Sequence, residues 1–260
     1  MKARNLARRL QHGFSLIEMM LVVAIMGIIS AGILSQMNEA QQRGYTEQVK
    51  LDNFQEARDF VDQFFRDINQ IGYPSSRLVD TTSLLWSPAL MTQTTYPLAS
   101  PYIFDNRMAM GLVSINRNAV QFEGDMIGNG VVQSIIYQIN GSGCALCLQR
   151  SQVDKVSADP LLGQPQNWGT EVNDVLSDPI FSYYKADGTQ IPNTSLPVDI
   201  STSGGPQILA SIKTIKISLT IRNNSVIDRK TSQAIETNFE GEVSINNCSM
   251  ATTGQATSCQ

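Results

Sequence analysis

Apolar positions fall in two regimes along the first 71 residues. From Phe14 to Leu34 they form an unbroken run, FSLIEMMLVVAIMGIISAGIL, whose only charge is Glu18. The run is 21 residues long, and about 20 suffice to cross a bilayer as a helix. Further on, Phe54, Ala57, Val61, Phe64, Ile68 and Ile71 recur at spacings of 3 and 4, which makes one apolar stripe on a helix. Gln55, Glu56, Arg58, Asp59, Asp62, Gln63, Arg66 and Asp67 lie between them as the expected polar face. No proline interrupts Phe14–Ile71, and Gly72-Tyr73-Pro74 is a stop signal. The pattern predicts one helix over 14–71, ~87 Å long at 1.5 Å per residue. Gly27, Gly32 and Gly44 weaken it, each by about 1 kcal/mol relative to Ala. Asn38–Glu47 has no stripe and reads as a solvated stretch of the same helix. The stripe is expected to lie against a β-sheet.

Beyond residue 74 the period shortens to two. Residues 75–100 are rich in Ser and Thr, with Pro88 and Pro97, and read as a loop. Gly111–Asn116 and Ala119–Glu123 are expected to form a hairpin. Val131–Ile139 is a strand, turned by Asn140-Gly141-Ser142-Gly143 and returned by Ala145–Arg150. Residues 154–179 hold three prolines and read as loop with one helical turn. Phe181–Lys185 is a strand ending at Asp187-Gly188. Ile215, Ile217, Leu219 and Ile221 alternate with Lys216, Ser218, Thr220 and Arg222, the strongest strand signal in the chain, with Ala234–Asn246 as partner.

Charge adds direction. The chain has 260 residues, only 16% of them charged, and a net charge of −4. Lys2, Arg4, Arg8 and Arg9 sit in the first 13 residues without an acid. The remainder holds 15 of the 19 basic residues against all 23 acidic ones, a net of −8. A basic head before an apolar run places the N-terminus in the cytoplasm and the residues after about 36 outside. An ordinary secretory signal has an apolar core of about 7–15 residues and no carboxylate near its start; this run is longer and carries one. A buried core helix would not need four preceding basic residues. The acidic balance argues against nucleic acid as a partner. The single histidine, His12, in the basic N-terminal tail, argues against histidine-based metal sites and against a Ser-His-Asp triad.

Glu18 is the informative residue, since an ionised side chain in hydrocarbon costs about 2.5–3.5 kcal/mol on insertion scales. Gly13-Phe14-Ser15-Leu16-Ile17-Glu18, preceded by a basic leader and followed by an apolar helix, resembles the processing site of type IV prepilins. The resemblance implies that prepilin peptidase cuts after Gly13 and N-methylates Phe14, leaving 247 residues. It also implies that Glu18 of one subunit neutralises the amine of a neighbour, pairing two charges that are costly alone in lipid. The implied fold is α+β and type IV pilin-like: a long N-terminal helix, half membrane-embedded and half packed on an antiparallel sheet. The implied divisions are a leader (1–13), an apolar helix (14–36), an amphipathic helix (37–72) and a β-rich head (73–260). The implied partners are the peptidase, other major and minor pilins, and the inner-membrane assembly platform. The protein is expected in the bacterial inner membrane with its head in the periplasm, then in the fibre. A looser likeness covers most of the chain. The helix ending in Ile-Gly-Tyr, the pair Ile135-Ile136-Tyr137 and Leu148-Gln149-Arg150, and the late pair of long strands are similar to PilW-type minor pilins and to J-type pseudopilins of type II secretion.

Four cysteines, Cys144, Cys147, Cys248 and Cys259, all follow the apolar segment, on the side where disulfides persist. Cys248–Cys259 and Cys144–Cys147 are the favoured pairs among three possible pairings. Cys144-Ala-Leu-Cys147 matches a redox motif but follows a Gly-Ser-Gly turn rather than opening a helix, and the second pair is too widely spaced for a four-cysteine zinc site. Asp178 and Asp187 are an acidic pair without EF-hand spacing. No nucleophile–base pair or phosphate loop stands out, so neither an enzyme nor a cofactor is expected. Three classes remain: a structural minor pilin that starts or caps a pilus, a pseudopilin, and a tip subunit for adhesion or DNA uptake.

Overall fold

The computed structural model describes residues 15–73, 104–139, 145–228 and 233–245. The chain divides into two compact units, Met1–Gln48 and Val49–Gln260. One helix, α1 (Leu16–Asn69), contributes to both.

In the first unit every residue from Ser15 to Tyr45 is exposed. Leu16, Ile17, Met20, Val23, Met26, Ile28 and Leu34 present large apolar side chains on all sides. A helix that is apolar all round needs a non-aqueous or protein surround, and α1 is long and apolar enough to cross a membrane. The polar stretch that follows is held locally: Arg43 Nη2 lies 2.5 Å from Glu39 Oε1, one turn back.

Among the described residues, the second unit contains the rest of α1 and nine strands. They are β1 (Leu112–Ile115), β2 (Ala119–Gly124), β3 (Gln133–Ile139), β4 (Leu148–Asp154), β5 (Trp168–Val172), β6 (Phe181–Lys185), β7 (Val198–Asp199), β8 (Ile212–Asp228) and β9 (Gln233–Ser244). A short helix, α2 (Gly205–Ser211), precedes β8. The first sheet has the order β5-β4-β3-β2-β1-β7 and the second β6-β8-β9, with every pairing antiparallel. This is the α+β, type IV pilin-like architecture that the resemblance implies. The α1 stripe and the inner faces of both sheets share one core. Phe60 and Phe64 meet Tyr137 of β3 edge-on at 5.7 and 5.2 Å, and Phe64 stacks on Phe181 of β6 at 5.6 Å. Burying a side chain such as Phe64 or Ile68 contributes about 1.5–3 kcal/mol.

Helix α1 ends where the stop signal places it. Gly72 takes φ +75°, a conformation that favours glycine. Ile71 then bridges Gly124 of β2, and the Gly72 N–H donates to the Glu123 carbonyl at 2.9 Å. A Cβ on Gly124 would lie 2.2 Å from the Gln70 carbonyl oxygen, so only glycine admits this close approach of helix end and strand.

Four expectations change. Phe54 is 45% exposed and rests its ring 5.6 Å from Phe239, while Val49, Asn53, Phe60 and Asp67 join the buried face. The face is centred on the line through Phe60 and Phe64, and Phe54 sits at its flank. Asp67, assigned to the polar face, is buried because it has partners in the sheet. Residues 154–179 are not loop alone: besides a turn closed by the Gly163 N–H on the Asp159 carbonyl, they supply β5, the edge of the larger sheet. Helix α2 was not anticipated; Pro206 opens it in its first turn. The loop at 75–100 lies outside the described residues.

Candidate assembly site

Ser15 precedes the first helical residue and Glu18 falls three positions later. The Ser15 N–H donates to Glu18 Oε2 at 3.2 Å, and the Glu18 N–H donates to the Ser15 carbonyl at 3.0 Å. Glu18 thus takes the acidic position of a capping box, where its carboxylate also faces the positive end of the helix dipole. The Ser-x-x-Glu spacing ahead of an apolar run carries this signal in the sequence. Glu18 is the only charge between Ser15 and Asn38. Its single local hydrogen bond leaves acceptor capacity on both oxygens, since a carboxylate has about four lone-pair sites. Gly13 and Phe14, the expected cleavage and methylation residues, lie outside the described residues, as do Cys144, Cys248 and Cys259. Cys147 is buried and disulfide-bonded.

In the second unit, polar groups tie the end of α1 to the sheets. Arg150 of β4 donates from Nε to Asp67 Oδ2 at 2.8 Å and places Nη2 2.7 Å from the same oxygen. Tyr137 donates to that oxygen at 2.6 Å, and Gln63 Nε2 donates to Oδ1 at 2.7 Å. Burial, followed by the Asp67 carboxylate, pushes the Tyr137 phenol well above its ordinary value, so it stays a donor. About three turns earlier, Glu56 Oε1 accepts the backbone N–H and the side-chain amide of Asn173, just past β5. The helix is therefore fastened by side chains 70–117 positions apart in sequence.

A second ion pair is wholly buried. Lys155 Nζ lies 2.7 Å from Glu123 Oε2 and donates to the Met108 carbonyl at 2.9 Å. The Met110 N–H also donates to Glu123 Oε2. Burial raises the Glu123 carboxyl above its ordinary range, and the Lys155 ammonium offsets this only in part. The acidic pair Asp178 and Asp187 makes local contacts. Asp178 pairs with Arg117 at 3.3 Å and accepts from Asn118, and Asp187 accepts the Thr189 N–H. Among the described residues no group of three or more His, Cys, Asp or Glu could hold a metal ion.

Sequence reasoning reached Glu18 but not Asp67, Arg150, Glu123 or Lys155. An isolated charge in a strand or on a helix gives no local sign of its partner, and Asp67 stands among Asp59, Asp62 and Arg66 as one more residue of the polar face.

Residues 8–34 match the family model described as the prokaryotic N-terminal methylation motif. Neither a curated protein nor a solved structure matches the chain. The motif supports a type IV pilin-like protein of a pilus or pseudopilus, processed by prepilin peptidase and assembled with other pilins. It also suggests a structural subunit rather than an enzyme.

Proposed function

We propose that this type IV pilin-like chain is a minor pilin that initiates or caps a type IV pilus. The observation that carries the reading is the methylation motif at 8–34 laid over an exposed apolar helix whose only charge is Glu18. Prepilin peptidase cuts between Gly13 and Phe14, Phe14 is N-methylated, and Glu18 pairs with the amine of an adjacent subunit. The head lies in the periplasm until the inner-membrane platform moves the subunit into the fibre. The 247 residues left after the cut exceed a typical major pilin, which favours a minor subunit. The favoured disulfides remain Cys144–Cys147 and Cys248–Cys259. A pseudopilin of type II secretion is the second reading, favoured by the same motif, which both systems share.

Glu18→Val tests the assembly role. In the monomer it removes one capping hydrogen bond, a loss of about 1 kcal/mol, and lowers the cost of insertion. In the fibre it leaves an amine unpaired in an apolar core, which costs about 3–5 kcal/mol. The expected result on immunoblots of membrane and sheared-fibre fractions is processed Glu18→Val protein in the membrane and none in the fibre. Normal fibre levels of the processed variant refute the inter-subunit pair.

A further inference from the structure

Strand β9 is the outer strand of its sheet: β8 pairs with it on one side, and no described residue pairs with the other. The phase of its hydrogen bonds is fixed where the strand ends. The Ile245 N–H donates to the Lys213 carbonyl, with Ser244 opposite Thr214. Odd-numbered positions therefore bond to β8, and Glu236, Asn238, Glu240, Glu242 and Ser244 aim their N–H and C=O groups away from the sheet. All five are exposed. Among the described residues this strand of twelve has no partner on that side, a long edge to leave unpaired.

The side chains say what fits there. On the solvent face the edge carries Glu236, Glu240 and Glu242; Arg222 and Lys216 of β8 reach only the first two. On the opposite face, α1 runs beneath β9. Gly241 admits Phe65 and Val61, and Phe239 meets Phe54. Beside that contact Leu51 and Phe54 stay 67% and 45% exposed. A strand laid along the edge would thus have apolar side chains against the flank of α1 and every second side chain beside a row of carboxylates. A second copy pairing antiparallel with itself would set these glutamates opposite one another, which is repulsive.

We infer that the open edge of β9 is a docking surface for an extended segment of another protein, in which apolar residues alternate with lysine or arginine. The backbone ladder supplies the binding, and the alternation supplies selectivity.

The test uses the full chain in non-ionic detergent and a fluorescent, blocked peptide of four Lys-Val repeats as the probe. Two controls are the same peptide with Glu for Lys and a version N-methylated at alternate bonds. Binding is read by anisotropy and located by hydrogen exchange. The Lys-Val peptide is expected to bind and to protect 234–244, with both controls at least ~10-fold weaker. Asn238→Pro removes an outward N–H that β8 does not use and should weaken binding by at least ~10-fold. Glu242→Lys, which leaves the backbone intact, should weaken it as well. No binding of the Lys-Val peptide overturns the inference. So does equal binding of the Glu control, indifference to both substitutions, or self-association that Asn238→Pro abolishes.

Discussion

Arg150→Met isolates the fastening of α1 to the larger sheet. The substitution keeps an unbranched apolar stem and removes the guanidinium. It leaves the Asp67 carboxylate, whose side chain is 3% exposed, with Tyr137 and Gln63 as its remaining donors. Breaking a buried ion pair from one side costs about 3–5 kcal/mol. Two surviving hydrogen bonds and the 12% exposure of the Arg150 side chain place the loss near the lower end. For a chain of this size about 3 kcal/mol corresponds to a Tm lower by roughly 6–12 °C. Asp67→Leu alone strands the guanidinium instead and is costly too. The double variant Asp67→Leu/Arg150→Met has neither stranded charge and should recover most of the loss, because an apolar replacement of a buried pair is often neutral. The assay is thermal unfolding of the full chain in detergent, taken as a double-mutant cycle. Losses that simply add, or an Arg150→Met Tm within about 1 °C of the parent, would refute the reasoning and leave Asp67 and Arg150 as neighbours without coupling.

Lys155→Met should destabilise by about 3–5 kcal/mol, whereas Glu123→Leu/Lys155→Met should be near neutral or better. The single variant also has a sign in pH. A carboxyl raised by burial contributes stability below its unfolded value that is lost as pH rises through the folded one. Lys155→Met should therefore be weaker at pH 8 than at pH 5, and a Tm deficit independent of pH would contradict the assignment. Asp199 runs the other way. Burial pushes its carboxyl up, but hydrogen bonds from Ser201 and Thr202 outweigh it and hold the group below the ordinary range. The Tm advantage over Asp199→Asn should hold from pH 7 down to about 4 and shrink as pH falls through the lowered value; an advantage that persists undiminished at pH 2 would count against these hydrogen bonds.

What was legible followed from period and punctuation. The run at 14–34 and the 3–4 stripe fixed α1 to within two residues at each end, because both are local and repeat over many turns. Strands β2, β3, β6 and β8 alternate or sit between turn residues and were found in place. Strand β5 was not: Trp168-Gly169-Thr170-Glu171-Val172 is short, has a glycine inside and follows two prolines, and its strand character comes from pairing with β4. Asp67 reads as solvent-facing among Asp59, Asp62 and Arg66, and only Tyr137 and Arg150, 70 and 83 positions on, make it a buried residue. Glu18 was legible because a lone carboxylate in an apolar run is energetically conspicuous, whereas its hydrogen bond to Ser15 needed the helix start to be placed.

The N-terminus of the mature chain tests the central claim most directly. Protein recovered from membranes of the native host is digested and its N-terminal peptide sequenced by mass spectrometry. The account predicts a chain that begins at Phe14 with an N-methylated amine. A chain that retains Met1, or one cut near Ala31 as a secretory signal would be, contradicts it.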